Sequence, residues 1–309
     1  MLVFGLTLQR LKFAGTLLLC QDEIPYHHPT ILKQRTIQMK FDCHPAGFLY
    51  MLTLRSICLF TVLFIALLPP CAVATPNTHI SVIVSLVDNV SQGIVPVPSK
   101  IGNGDDPHSN LYWGAAYGVK TFLSKADGWQ KLGCAYDISD TILERCRFAW
   151  KDKLTVTADA YRGSRIDQAM LDFMQQAATP PNAAEREMVV FIGHDGLMDE
   201  QNQPIIERFP KHAGHDKQAV VLACLSDEFF AEHLLAAGSK PVVTTFSFMA
   251  PEAYVLEAIA RGFANQASEA ELRSSAAAAY AKYQRISAKA GKSVFGANSQ
   301  AKPIRLSLR

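Results

Sequence analysis

His194 and Cys224 are the residues of this chain whose positions best suit chemistry. Each stands just beyond a run of apolar residues: Met188-Val189-Val190-Phe191-Ile192 leads through Gly193 to His194, and Ala219-Val220-Val221-Leu222-Ala223 leads to Cys224. A thiol near its free pKa is only a few per cent ionised at neutral pH. A neighbouring imidazole raises that fraction or takes the proton, so a Cys/His pair reads as a nucleophile with its general base. Leu225-Ser226-Asp227 then opens a helix-like stretch, with Ser226 as N-cap candidate. The positive end of that helix favours a thiolate by ~0.3–1 kcal/mol. Gly193 and Gly196 bracket His194-Asp195, so backbone N–H groups there can approach a substrate carbonyl as an oxyanion hole.

Those residues need a scaffold that brings two strand ends together. His79 to Asp88 is rich in β-branched residues and reads as a strand, and Leu154 to Tyr161 as a second. The runs 188–192, 219–223 and 241–246 are continuously apolar, as in strands covered on both faces of a parallel sheet. Helical spacing is read over 111–126, 162–178, 227–237, 251–267 and 269–287, with Pro251 at a first helical position. Alternating strands and helices predict an α/β, three-layer sandwich around a mostly parallel sheet. Sites in such sheets form beyond the carboxyl ends of the strands, and adjacent strands lie ~4.8 Å apart, so the His and the Cys can share one crevice.

An apolar strand ending in a His-Gly motif, followed by one ending in Ala-Cys, resembles the caspase, gingipain, legumain and separase assemblage of cysteine peptidases. The two blocks here are Val189 to Gly196 and Val220 to Cys224. The resemblance implies a caspase-like fold with His194 as general acid/base, Cys224 as nucleophile and Gly196 as oxyanion-hole donor. It also implies substrate-binding positions at Asp88 and Asn89 after the first strand, and at Thr245 and Phe246 after the strand that follows Cys224. The family has Gly directly after the His, whereas Asp195 intervenes here; that shifts the backbone donor by one residue and adds a carboxylate.

Each residue also has a plainer reading. A single buried Cys is commonly a small hydrophobe. Asp105-Asp106-Pro107-His108 offers one imidazole and two adjacent carboxylates without a third fixed ligand, which suits a solvated turn better than a metal site. Asn110-Leu111-Tyr112-Trp113 reads as an N-cap with an aromatic core anchor, or else as a substrate-lining Trp113.

The composition is that of a globular chain: 49% hydrophobic, 19% charged, formal net charge +2. This gives no electrostatic reason for a nucleic-acid partner, and no cofactor or metal is expected. Arg55, the apolar run Ile57 to Leu68 and Ala72-Val73-Ala74 compose a secretory signal peptide cleaved after Ala74. The run is shorter than the ~20 residues of a membrane span. The expected organisation is therefore an upstream segment 1–50, a signal peptide 51–74 and a single α/β domain 75–309, periplasmic or secreted. The rival is a cytoplasmic extension with 57–68 as an anchor. Export favours a disulfide between Cys134 and Cys146, read as spanning a helix-like stretch, and leaves Cys224 as the odd thiol. Two classes of function stay open: a thiol hydrolase acting on peptide or protein substrates, and a binding or scaffold protein that keeps the fold without turnover.

Overall fold

A computed structural model describes residues 77–296, apart from 184, 213 and 216. The segments 1–50 and 51–74, the cleavage at Ala74 and the tail after 296 lie outside the described residues. The strands are β1 (Asn77–Ser85), β2 (Trp129–Tyr136), β3 (Ile142–Trp150), β4 (Leu154–Tyr161), β5 (Glu185–Ile192), β6 (Gln218–Leu222), β7 (Lys240–Thr245) and the two-residue β8 (Phe295–Gly296). The helices are α1 (Val119–Leu123), α2 (Ile166–Ala178), α3 (Ser226–Ala236), α4 (Ala253–Ala264), α5 (Glu269–Gln284) and α6 (Ala288–Val294).

One mixed sheet runs in the order β2-β3-β4-β1-β5-β6-β7-β8. Its centre, β4-β1-β5-β6-β7, is parallel, and β2, β3 and β8 pair antiparallel at the edges. Parallel strands buried on both faces need apolar residues at odd and even positions alike. Here Ile80, Val82, Val84, Met188, Val190, Val220 and Leu222 pack with α4 and α5, while Ile83, Val189, Phe191 and Val221 pack with α2 and α3. The sheet is thus the middle of three layers, as the apolar runs predict. No helix among the described residues is long and apolar enough to cross a membrane.

The structure corrects five sequence expectations. The helix read over 111–126 is helical only at Val119–Leu123. The carbonyl of Asn110 accepts the amides of Trp113, Gly114 and Ala115, so the chain closes in tight turns. A Cβ at Gly114 would collide with the carbonyl of His108, and one at Gly118 with the backbone of Trp113. Asn110 is no helix cap; its carboxamide ties the loop to the end of β1 through Val87 N and Val87 O. Pro251 precedes α4 by two residues, and Glu252 is the cap position. Ser226 is the first residue of α3 and not its cap: its hydroxyl turns into the sheet, donating to Val221 O at 2.9 Å.

The fifth correction concerns the disulfide. Cys134 and Cys146 are joined as expected, but across the β2–β3 hairpin, where they are directly opposed in register. Beside it, Glu144 on β3 is 1% exposed, with Lys120 Nζ at 2.6 Å and Trp113 Nε1 at 2.8 Å. Trp113, itself fully buried, is therefore a core anchor and lines no open site. A buried carboxylate that loses its cation keeps the desolvation cost without the attraction. Lys120→Met should accordingly lower the unfolding free energy by about 3 kcal/mol. Adding Glu144→Gln should recover part of the loss. Urea denaturation of the single and double variants checks this, and a loss under about 1 kcal/mol would show that Glu144 does not depend on Lys120.

Candidate active site

The direct pairing of β5 with β6 builds the site. Register runs from Met188↔Gln218 to Ile192↔Leu222, and Gly193 N donates to Leu222 O at 3.3 Å just beyond. His194 and Cys224 both stand two residues past the last pair, beyond the ends of the two strands. Gly193 allows the close approach: a Cβ there would lie 3.0 Å from both Cβ and O of Ser85, at the end of β1.

His194 is 8% exposed, and its Nε2 lies 3.0 Å from Asp199 Oδ2. A carboxylate partner fixes the tautomer with the proton on Nε2, which leaves the Nδ1 lone pair to act as base. The same Asp199 oxygen accepts Gly93 N at 3.3 Å, so one carboxylate orients the imidazole and anchors the loop after β1. Asp199 was not singled out in the sequence. The available signal was its place five residues after His194, in an acidic pair with Glu200.

Cys224 is partly buried. Its sulfur contacts Met249 O at 3.6 Å and receives Met249 N at 3.5 Å. Burial raises the thiol pKa above its free value and the charge of Asp195 adds to this, while the Met249 N–H opposes both. Among the described residues no hydrogen bond joins the thiol to His194, whose partner is Asp199. Leu225, the next residue, adopts the left-handed conformation (φ 51°, ψ 26°), with its N–H bound to Ser247 O. That conformation costs a branched L-residue roughly 1–2 kcal/mol. It turns the chain from β6 straight into α3, so the thiol sits at a sharp strand-to-helix corner. Thr245 braces the corner through Ala223 O and Ser226 N.

Asp195 is fully buried; Oδ1 accepts Leu197 N at 3.0 Å and Oδ2 has no partner. Burial holds its carboxyl pKa well above the ordinary range, so the group resists ionisation. Ser85 Oγ, buried at the end of β1, is likewise without a partner. Gly196 opens a 3₁₀ turn, Gly196–Met198, and packs against Ile166 and Met170 of α2.

The four expected substrate-binding positions have different fates. Asp88 accepts Val90 N and Ser91 Oγ, closing its own turn. Asn89 clamps the loop through Val97 N and Val97 O. Thr245 is buried in the brace just described, and Phe246 is 43% exposed on the rim. The Asp105-Asp106-His108 stretch is a turn: Asp105 pairs with Arg162, and Asp106 accepts the His108 amide and the Ser109 hydroxyl. A polar cleft of about 470 Å³, bordered by Ser91, Arg165, Asn202 and Arg208, opens on the β4 side of the rim; His194 and Cys224 do not line it.

Comparison with protein-family models, with curated proteins and with solved structures returns no match.

Alkylation follows the thiolate, so the rate at Cys224 should climb through a midpoint above that of a free thiol. Asp195→Asn removes a group whose charge opposes thiol ionisation and should move the midpoint down. Iodoacetamide rates between pH 6 and pH 11, read by mass spectrometry, check the sign. A midpoint that stays or rises would show that Asp195 does not act on the thiol.

Proposed function

We propose that this chain is an exported cysteine-type endopeptidase of the caspase, gingipain, legumain and separase kind. Cys224 is the nucleophile and His194 the general acid/base. The observation that carries the reading is the β5–β6 pairing, which places an oriented imidazole and the only free thiol among the described residues at neighbouring strand ends. In the reaction, His194 Nδ1 takes the thiol proton and the sulfur attacks the peptide carbonyl carbon. The tetrahedral oxyanion forms near the Gly196 amide. The C–N bond then breaks as the imidazolium returns the proton to the leaving amine. Water, deprotonated by the same imidazole, hydrolyses the thioester and restores the thiol, for a net addition of water across one peptide bond. Asp199 stabilises the imidazolium in the way a third residue orients a catalytic histidine.

A second reading is favoured by one specific observation: the thiol pKa is raised and His194 is bonded to Asp199 rather than to sulfur. That suits a binding protein without turnover. A sulfur–imidazole contact that tightens only around substrate reconciles the same geometry with catalysis.

Limiting iodoacetamide on the mature protein separates the two. The peptidase reading predicts that Cys224 is modified in the folded state, that His194→Ala slows this at neutral pH, and that Cys224→Ala abolishes hydrolysis of an unstructured protein substrate. A Cys224 that reacts only on unfolding favours the binding protein. Hydrolysis that survives Cys224→Ala would place the activity elsewhere in the chain.

Export is supported by the Cys134–Cys146 disulfide, since such bonds persist in oxidising compartments. The stable product should begin at Thr75 in the periplasm or medium. N-terminal sequencing that finds residues before Met51 on an exported product would contradict this.

A further inference from the structure

We infer that the polar cleft on the β4 side of the rim binds the part of the substrate that departs, and that Arg165 and Arg208 there select a carboxylate on it. The inference rests on the peptidase reading and adds a substrate class on the leaving side of the scissile bond. The strand order orients the substrate. Its acyl part stays on the sulfur of Cys224, past the end of β6, where the N–H and carbonyl of Met249 close the β7 side. The leaving amine takes its proton from His194, past the end of β5, so the departing segment begins on the imidazole side. Next along the sheet come β1 and β4, and the loops that follow these two strands border the cleft.

Hydrogen bonds join the imidazole to both walls of that cleft. Asp199 Oδ2 lies 3.0 Å from His194 Nε2 and accepts Gly93 N at 3.3 Å; Ser91, two residues before Gly93, lines one wall. On the other wall, Asn202 N donates to Asp199 O at 2.9 Å and Asn202 Nδ2 to Gly196 O at 3.0 Å. From Asp199 to Asn202 the chain spans at most ~10 Å, which an extended substrate covers in about three residues. The volume of about 470 Å³ falls within the ~300–1,000 Å³ usual for ligand sites.

The walls are short of negative charge. Arg208 is exposed, and its guanidinium forms no ion pair among the described residues. Arg165 has only Asp167, which also lines the cleft, at 3.6 Å with both side chains 43% exposed. So loose a pair is given up at little cost. Two guanidiniums thus share one carboxylate in a confined space. A carboxylate from the substrate supplies the missing charge and matches the planar fork of a guanidinium, whereas a cationic residue meets like charge.

The test uses the mature protein and internally quenched peptides that share one acyl side and end in an amide. The second, third or fourth residue after the scissile bond is in turn glutamate, glutamine or lysine, and a companion set ends at each of these positions in a free carboxylate. At one position glutamate, or the free terminus, should exceed its neutral counterpart by about 3-fold or more in kcat/KM, chiefly through KM. The advantage should shrink at high salt. A gain from the side chain alone or from the terminus alone supports the inference and identifies the source of the carboxylate. Arg208→Lys should keep part of the advantage, and Arg208→Glu should turn it into a preference for lysine. Asp167→Asn, which releases Arg165, should enlarge it. An unchanged Tm will show that each variant folds. Cys224-dependent cleavage with equal rates for charged and neutral peptides at every position, or a preference that Arg208→Glu leaves unchanged, overturns the inference and leaves the peptidase reading standing. Absence of Cys224-dependent cleavage of any peptide removes that reading and this inference with it.

Discussion

Two strands paired from Met188↔Gln218 to Ile192↔Leu222, with apolar layers on both faces, cannot slip by one residue without sending every core side chain to the opposite layer. The strand ends are therefore fixed relative to one another by the packing of the whole molecule. His194 and Cys224 inherit that precision, and the surrounding devices refine it. Gly193 lets β5 end hard against Ser85, left-handed Leu225 turns the chain at the thiol, and Thr245 pins the corner from the next strand. Strain of this kind persists where the structure around it holds the backbone in place, and it clusters at functional sites.

The electrostatics pull against the chemistry, and that tension is informative. Shielding from water raises the thiol pKa of Cys224, and the charge of Asp195 adds to this. Burial likewise raises the carboxyl pKa of Asp195. Asp199 anchors both His194 and the loop at Gly93, so one carboxylate ties the two together. In the proposed mechanism substrate does what the resting protein does not: it excludes the remaining water and brings sulfur and imidazole into contact.

Much of this was legible in the sequence, because buried parallel strands and amphipathic helices are written in their spacing. The runs at 188–192, 219–223 and 241–246 match β5, β6 and β7 to within one residue, and the helices after the last two fall within a few residues of expectation. The β2–β3 hairpin was not read. β2 is exposed along most of its length and carries no apolar alternation. β3 does alternate, with Cys146, Phe148 and Trp150 inward and Arg145 and Arg147 outward, and that was the usable signal. The turns at 111–118 mimicked a helix because apolar residues bury at similar spacing whether a helix or stacked turns present them. The positions of His194 and Cys224 just past neighbouring strand ends were legible from the apolar runs. Asp199 was not, since it reaches His194 through a fold-back that spacing does not encode.

The most direct measurement is to acid-quench the mature protein during turnover of an activated ester substrate and map any acyl group by mass spectrometry. The account predicts an acyl adduct on the fragment that contains Cys224. The adduct should be lost in Cys224→Ala and should accumulate when deacylation, which needs the imidazole as base, is slowed at low pH. Turnover with no adduct, or with the acyl group on another residue, would contradict it.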